Sequence, residues 1–283
     1  MRFAKLHGLG NDFVLIDLRG APSAAAPDPS FAQRVCDRHR GIGADGVLAL
    51  LPLSAAEADG ASVSGASQAA RLVIHNPDGS RPEMCGNGAR VAALWMATLG
   101  CTRPGSAEVL LLTDAGPRPC AVEAAVAGLG VVEVGMGRPR VGSPRLLPLL
   151  GAPAQAIPVS MGNPHLVFFL GERPPRALAD LAASEGPALC RQEDANIELV
   201  QSLGSQRFAA VVWERGAGLT QACGTGACAV AAAAIARGEA RGDQPITVDL
   251  PGGQLTLRLD DEGAIRMRGP AELVYFGELH SRY

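Results

Sequence analysis

Two cysteines stand immediately before a glycine-rich turn and a run of small residues, where a thiol could act as a base. Cys85 lies in "EMCGNGARVAALWMATLG" at 83–100, and Cys223 lies in "TQACGTGACAVAAAAIARG" at 220–238. A cysteine at the start of a helix faces backbone N–H groups and the positive end of the helix dipole, which lower its thiol pKa. The same N–H groups can hold a carboxylate. A packing cysteine remains the simpler interpretation of either segment alone.

The two segments belong to a wider internal similarity. An offset of 138 residues aligns six identical pairs: Cys85 with Cys223, Gly86 with Gly224, Gly88 with Gly226, Ala89 with Ala227, Ala93 with Ala231, and Gly100 with Gly238. Upstream, Gly-Asn leads into an apolar strand twice, in "LGNDFVLI" at 9–16 and "MGNPHLVFF" at 161–169. Because both motifs occur in the same order, we predict a duplicated half-chain joined near "GPRPC" at 116–120.

A pair of opposed thiols has a specific chemical use. If the two halves face each other about a pseudo-twofold axis, one thiolate can remove an α-proton while the opposite thiol delivers another. Two helix N-termini would hold the substrate's carboxylate and stabilise the carbanion as it forms. This is the geometry that inverts a stereocentre. The sequence contains no lysine pattern that indicates pyridoxal phosphate, so we predict a reaction without a cofactor.

Composition excludes several classes of partner. The net charge of -3 and the 4% aromatic content argue against nucleic acid or an anionic membrane surface as the ligand. The N-terminal stretch "MRFAKLHGLGNDF" has no apolar signal region, and the longest apolar run, at 225–236, is too short to span a membrane. Seven cysteines without such a signal indicate reduced thiols in a soluble cytoplasmic protein. No C-x-x-C or H-E-x-x-H spacing occurs, so we expect no metal site.

The periodicity predicts many strands and few helices, which is an α+β fold rather than a doubly wound parallel sheet. Strands are predicted at 13–17, 46–51, 71–75, 107–113, 129–136, 165–170, 196–200, 207–214, 246–250 and 254–259. Helices are predicted at 30–39, 87–99, 175–185 and 225–237. The Ala-, Ser- and Pro-rich stretches 52–70 and 138–157 are interpreted as surface excursions. "GIGADG" at 41–46 has dinucleotide-motif spacing but precedes a strand, so a glycine-rich turn is the better interpretation.

Five blocks resemble the signatures of the diaminopimelate epimerase family: "KLHGLGNDFVLID", "HNPDGSRPEMCGNGAR", "GNPHLVFF", "ANIELV" and "WERGAGLTQACGTGACA". The resemblance implies a cofactor-independent enzyme that interconverts LL- and meso-diaminopimelate, a precursor of lysine and peptidoglycan. It implies two pseudo-symmetric α/β roll or barrel halves, each strand-rich around a central helix. The expected domains are 1–118 with 271–283, and 119–270, the last strand at 271–279 returning to the first half. A homodimer is implied as well.

The resemblance also implies roles for individual residues. Cys85 and Cys223 are the catalytic thiols, and His165 and Glu214 lie near them and help set their ionisation. The other implied substrate-binding residues are Asn11, Asn76, Asn163, Asn196, the helix-start pairs Gly86–Asn87 and Gly224–Thr225, and the distal-end pair Glu214–Arg215. By residue type alone, the asparagines could instead be turn residues and the Glu-Arg pair a solvated ion pair. Some family members have glutamine where Gly46 stands, so that contact is absent here.

Three other interpretations stay open. Proline racemases and hydroxyproline epimerases also use two cysteines, but Asn87 and "ERGAG" at 214–218 favour diaminopimelate. Isomerases of the phenazine-biosynthesis type share the implied fold but lack the thiol pair. A non-catalytic small-ligand binding protein would leave both thiols idle, with ordinary pKa values.

Overall fold

Strands make up most of this chain, for which a computed structural model describes residues 1–21, 25–62, 66–100, 107–126, 128–171 and 176–280. The five helices of the described residues are α1 Pro29–Cys36, α2 Ala55–Ser62, α3 Gly86–Gly100, α4 Leu178–Glu193 and α5 Gly224–Ala236. The first strands are β1 Arg2–Gly8, β2 Asn11–Asp17, β3 Gly46–Leu51, β4 Gln68–His75, β5 Ala107–Thr113, β6 Gly116–Val126 and β7 Leu129–Gly137. Next come β8 Arg140–Val141, β9 Arg145–Leu149, β10 Ala152–Ser160, β11 Pro164–Phe169, β12 Asn196–Ser202 and β13 Arg207–Glu214. The last are β14 Gly218–Leu219, β15 Ile246–Leu250, β16 Gly253–Leu259 and β17 Ile265–Glu278. The predicted α+β class is confirmed.

The chain divides into two compact units, Met1–Val134 with Gly269–Tyr283, and Gly135–Arg268. The observed division falls after Val134, whereas the predicted one falls between residues 118 and 119. β6 pairs with β5 as far as Ala107↔Val122, and it also pairs with β7. These pairings keep residues 119–134 in the first unit. The end of β17 lies in the first unit too, where it pairs antiparallel with β1 and where Leu273 donates to the Gly128 carbonyl at 2.7 Å.

Both units repeat one order of strand pairing, as expected for a duplicated half-chain. In the first unit, β1–β2 is antiparallel, β2–β3 parallel, β3–β4 antiparallel, β4–β5 parallel, and β5–β6 and β6–β7 antiparallel. In the second unit, β10–β11, β11–β12, β12–β13, β13–β15, β15–β16 and β16–β17 follow the same series. The strands of one series therefore have structural equivalents in the other.

One helix occupies the centre of each unit because most of its residues are small or apolar; the buried Arg90 of α3 is an exception, and its Nε donates to the Pro270 carbonyl at 3.3 Å. In α3, the run from Ala89 to Ala97 is buried, and the helix packs against β1 to β6. In α5, the run from Gly226 to Ala234 is buried, and the helix packs against β10 to β13, β15 and β16. A helix that is apolar all round requires burial on all sides, which the surrounding strands provide. The predicted central helices are confirmed.

Three local predictions need correction. The segment 138–157 is largely exposed, as expected of a surface excursion, but it is also a paired hairpin, because β9 pairs with β10 from Leu149↔Ala152 to Arg145↔Ala156. Within 52–70, the chain forms α2 and the start of β4, and residues 63–65 lie outside the described residues. The helix predicted at 175–185 is α4, which begins at Leu178 and extends to Glu193; residue 175 is outside the described residues.

Candidate active site

Cys85 stands directly before α3, at the edge of the first unit's core. Its Sγ accepts a hydrogen bond from the Gly88 amide at 3.4 Å, and its carbonyl accepts the Ala89 amide at 2.8 Å. The cysteine is half-buried. A Cβ added to Gly88 would lie 3.4 Å from the Cys85 Cβ, so the glycine lets the first helical turn close around the thiol.

Asn11 and Asn87 are joined beside this helix start. The Asn87 Nδ2 donates to the Asn11 Oδ1 at 3.0 Å, and the Asn11 Nδ2 donates to the Asp45 carboxylate at 3.0 Å. Asp45 also accepts the Asp12 amide at 3.1 Å and an Arg38 guanidinium contact at 2.8 Å. The two asparagines therefore have fixed amide orientations, which a polar ligand requires of its binding groups.

Asn76 is another predicted residue of the first unit, and Gly46 is the position where the contact of some family members is absent. Asn76 follows β4, and its Nδ2 donates to the Ser80 hydroxyl at 2.9 Å, so its own turn holds it rather than the Asn11–Asn87 pair. Gly46 begins β3, where an added Cβ would lie 2.9 Å from the His75 carbonyl oxygen. A side chain at this position would therefore require the backbone of this chain to shift.

Cys223 is the N-cap residue of α5. Its Sγ accepts the Gly226 amide at 3.3 Å and lies 3.5 Å from the Thr225 Oγ1. Only 4% of the residue is exposed. Gly224 and Gly226 are buried at the first turn, and a Cβ on Gly226 would meet the Glu198 Oε1 at 3.1 Å.

The ionisation of Cys223 differs from the sequence prediction. Burial raises the pKa of this thiol well above 9.0, and the nearby charges of Glu214 and Glu198 raise it further. The hydrogen bonds from Thr225 and Gly226 act in the opposite direction but do not outweigh burial. The helix-start effect is present, as predicted, but burial outweighs it, so the net shift of the Cys223 pKa is upward and favours the thiol form.

A chain of side-chain hydrogen bonds leads to Cys223. The Asn163 Nδ2 donates to the Thr225 Oγ1 at 3.3 Å, and the Asn163 Oδ1 lies 3.0 Å from the His165 Nε2. The His165 Nδ1 lies 2.6 Å from the Glu198 Oε1. The structure thus brings Asn163, His165, Thr225 and Cys223 into one network, within the second unit.

Glu198 is the residue that the sequence analysis missed. It is fully buried in β12, and burial raises its pKa although the neighbouring His165 opposes that shift. A signal was present in "ANIELV", where an acid interrupts a run of apolar strand residues. A carboxyl inside such a strand is rare without a partner.

The remaining predicted residues lie at the ends of β12 and β13. The Asn196 Oδ1 accepts the Arg215 amide at 2.8 Å, and Glu214 accepts the Thr220 hydroxyl at 2.6 Å. The Arg215 guanidinium is half-exposed and pairs with Asp194 at 3.0 Å. A surface ion pair of this kind contributes about 0–1 kcal/mol, so a ligand carboxylate can replace Asp194 at small cost.

Other site chemistry is limited in the described part of the chain. No group of three or more His, Cys, Asp or Glu side chains is placed there to hold a metal ion. Among the helices of the described residues, none is both long and apolar enough to cross a membrane.

Solved structures share this fold. A hydroxyproline epimerase from Agrobacterium vitis superposes with a TM-score of 0.71 at 14% identity, over 99% of this chain and 90% of that chain. A predicted epimerase from Pseudomonas aeruginosa gives 0.70 at 17% identity over 98% of both. A phenazine biosynthesis protein from Bacillus anthracis gives 0.68 at 14% identity over 99% of both. The chain thus has the fold class that these epimerases and phenazine biosynthesis proteins share.

Sequence comparison defines the family. The family model described as diaminopimelate epimerase matches residues 3–141 and 157–274. Diaminopimelate epimerases from Synechocystis and Desulforudis audaxviator are 37% and 39% identical, over 98% of this chain and 98% and 99% of theirs. A chloroplastic diaminopimelate epimerase from Oryza sativa is 38% identical over 98% of this chain and 79% of its own. The chain belongs to the diaminopimelate epimerase family, as the signature blocks predicted.

Proposed function

We propose that this protein is a diaminopimelate epimerase that converts LL-2,6-diaminopimelate to the meso form without a cofactor, with Cys85 and Cys223 as the acid–base pair. The observation that carries the proposal is the duplicated helix start. Each unit places one cysteine before its central helix, with its sulfur accepting an amide of the first turn at 3.4 Å and 3.3 Å. Family membership supplies the substrate class.

The proton balance of the proposed reaction follows from the state of Cys223. Because burial and two carboxylates raise its pKa, Cys223 is the protonated partner and supplies the incoming proton. Cys85, as thiolate, takes the α-proton, and the electron pair left on the α-carbon is delocalised into the carboxylate. The Cys223 S–H bond then breaks as the new Cα–H bond forms on the other face. The two thiols finish in exchanged states, and the reverse reaction uses the opposite assignment.

Recognition of the two amino-acid ends uses different groups. Helix-start amides at Gly86, Asn87, Gly224 and Thr225 suit the carboxylate of the reacting centre. Arg215 suits the distal carboxylate through a bidentate contact, and Glu214 suits the distal ammonium. Asn11, Asn76, Asn163 and Asn196 offer amide donors and acceptors to these charged ends. His165 belongs to the network that reaches Cys223 through Thr225.

The test is isotope exchange with the purified protein. LL-diaminopimelate in deuterium oxide should gain α-deuterium and yield the meso isomer, as followed by mass spectrometry and optical rotation. Cys85→Ala and Cys223→Ala should each abolish turnover. Cys228→Ala is the matched control, because Cys228 is buried one turn further along α5 and has no proposed role. Absence of exchange in the wild type, or turnover in either active-site variant, would refute the proposal.

A proline racemase or hydroxyproline epimerase activity is the second candidate, supported by the shared fold. Incubation with proline and with hydroxyproline in deuterium oxide separates the two. Exchange into either amino acid, without exchange into diaminopimelate, would favour this candidate. A non-catalytic binding protein would bind diaminopimelate without exchange.

Location and assembly follow from the same proposal. We expect a cytoplasmic enzyme, because its product would feed lysine and peptidoglycan precursor synthesis. We also expect a homodimer, which light scattering of the purified protein would test directly.

A further inference from the structure

Glu198 lies outside the groups assigned above, yet it is the most deeply buried carboxyl near the candidate site. Its side chain and that of His165 are both 0% exposed, and 2.6 Å separates the Oε1 from the Nδ1. We propose that Glu198 is a positioning residue that acts through His165 to aim the Asn163 amide and the Thr225 hydroxyl at the Cys223 thiol. This inference rests on the proposed acid–base role of Cys223.

The hydrogen bonds between Glu198 and Cys223 have one consistent direction. Since the Asn163 Nδ2 donates to Thr225, the Asn163 Oδ1 faces His165 and must accept a proton from the Nε2. The His165 Nδ1 then shares a proton with Glu198. Thr225 already accepts from Asn163, so its own hydroxyl proton is left to face the sulfur 3.5 Å away. Glu198 thus fixes the imidazole orientation on which each later donor depends.

Two proton arrangements of the pair supply the Nε2–H that Asn163 requires. A protonated Glu198 with neutral His165 and an ionised Glu198 with imidazolium differ only by the position of one proton along a 2.6 Å contact. In the neutral arrangement the proton lies on Glu198 and is donated to the Nδ1, which leaves the Nε2 protonated. In the charged arrangement both ring nitrogens are protonated. The Nε2–H that Asn163 requires is present in both cases.

The first unit shows which residues occupy the positions equivalent to His165 and Glu198. In the parallel pairing of β2 with β3, Phe13 lies opposite Gly46; in that of β11 with β12, His165 lies opposite Asn196. Leu48 and Glu198 are each the third residue of their strand. A Cβ on Gly88 would meet Leu48 at 3.1 Å, and a Cβ on Gly226 would meet Glu198 at 3.1 Å.

The equivalent positions are therefore Phe13 with His165 and Leu48 with Glu198. Both positions of the first unit are apolar and buried. The duplicated fold thus accommodates two apolar side chains where the second unit has two ionisable ones. Burial of an ionisable pair is costly, and apolar replacements of similar size are often neutral or stabilising. Packing alone does not require Glu198, which leaves its effect on His165 as the reason for its presence.

The other ionisable groups around Glu198 come from every element packed against β12. His165 faces it from β11, Glu214 from β13, Cys223 from the start of α5, and Cys190 from α4. Of these ionisable groups, His165 is the one that forms a hydrogen bond with Glu198, and the backbone amide of Leu166 also acts on this carboxyl through a hydrogen bond. Glu214 and Cys223 have the same sign of charge when ionised, so they cannot replace His165 as its partner.

The first experiment reads the imidazole directly and needs no substrate. Nitrogen-15 NMR of histidine-labelled protein, with His165 assigned by its loss in His165→Phe, should give a ring protonated at Nε2 across neutral pH. In Glu198→Leu, the His165 signals should change to a mixture of both tautomers, while His39 and His280 stay unchanged. Glu198→Gln, whose amide can donate to Nδ1, should retain the Nε2–H form. An unchanged His165 spectrum in Glu198→Leu would overturn the proposal.

The second experiment measures turnover in the same variants. Glu198→Leu should lose about tenfold or more in kcat/KM for α-proton exchange, the loss expected for one hydrogen bond to a charged group. His165→Phe/Glu198→Leu should be no slower than His165→Phe, because Glu198 acts only through His165. Glu198→Gln should recover most of the loss. A folded Glu198→Leu within about twofold of wild type would overturn the proposal.

Two controls keep the result interpretable. If Glu198→Leu does not fold, Glu198→Met offers an unbranched apolar side chain, and the same outcomes apply to it. If the wild type does not exchange diaminopimelate, the proposed function fails, while the NMR result still decides whether Glu198 positions His165.

Discussion

Thr225 has two contacts that place it between the buried network and the thiol. Its Oγ1 accepts from Asn163 at 3.3 Å and lies 3.5 Å from the Cys223 sulfur. The Thr225 hydrogen bond lowers the pKa of Cys223 against the larger raising effect of burial. The hydroxyl is therefore placed to act on the thiol, in addition to the substrate-binding role that the family resemblance implies for this position.

Substitution of Thr225 separates these two contributions. Thr225→Val keeps the shape and the backbone amide but removes the hydroxyl, so the Cys223 pKa should rise further and kcat/KM should fall by about tenfold. Thr225→Ser is the matched control, because it retains the hydroxyl and should stay close to wild type. Alkylation rates of Cys223 as a function of pH, read by peptide mass spectrometry with Cys85 as an internal reference, measure the shift. The same dependence of the Cys223 alkylation rate on pH in Thr225→Val and Thr225→Ser would contradict the prediction.

At the scale of the elements, β2–β3 and β11–β12 form the same parallel pair with different contents. The first pair carries Phe13 and Leu48, and the second carries His165 and Glu198 at the equivalent positions. Removal of one member of the polar pair leaves the other buried without its partner, whereas removal of both copies the apolar arrangement of the first unit.

The stability of three variants should reflect that difference. Glu198→Leu and His165→Phe should each lower the free energy of unfolding by about 1–3 kcal/mol, since each leaves a buried polar group unsatisfied. The double variant should recover this loss or exceed wild-type stability. Chemical unfolding of the four proteins forms a double-mutant cycle that measures the coupling. Additive losses would mean that the two side chains do not stabilise each other.

Sequence patterns predicted strands well where β-branched residues alternate or cluster. The bounds of β3, β5, β13 and β15 agree with the runs at 46–51, 107–113, 207–214 and 246–250. The pattern failed at β9 and β10, where Pro148 pairs opposite Pro153. Proline lowers strand propensity, and only the pairing between these two strands, which is not a local property, offsets it. β1 was not predicted because the charged Lys5 interrupts its apolar pattern. Lys5 is nevertheless buried there, since it pairs with Asp12 on β2.

The site was predictable to the extent that spacing carries it. The Cys-Gly-x-Gly repeats located both thiols and both central helices from sequence alone. The environment of Cys223 was not predictable, because the sequence does not show that β12 and β13 bring Glu198 and Glu214 beside the start of α5. Spacing indicates that a thiol lies at a helix start, which predicts a lowered pKa. Burial and neighbouring charges raise the pKa instead, and both are tertiary properties.

At the scale of the whole molecule, buried thiols make the free energy of unfolding depend on pH in the alkaline range. Burial, together with the charges of Asp12 and Asp45, raises the pKa of Cys36 from 9.0 to about 11, although Lys5 and Arg38 oppose it. Burial raises the pKa of Cys190 and Cys223 as well. Between the unfolded and folded pKa values, the unfolded chain holds fewer protons than the folded protein. The free energy of unfolding therefore falls as the pH rises from about 9.

The contribution of Cys36 to this pH dependence can be measured. Its shift corresponds to about 3 kcal/mol, present in full below pH 9 and lost as the pH rises to 11. Cys36→Ala should cost some stability at pH 8 through lost packing, but its stability should decline less steeply between pH 9 and 11. Val35→Ala is the matched control, because Val35 lies in the same helix and the same core cluster but does not ionise. Val35→Ala should be less stable at every pH with the wild-type slope. If the stability of Cys36→Ala declined with pH as steeply as that of the wild type, the Cys36 thiol would not be responsible for the loss of stability at alkaline pH.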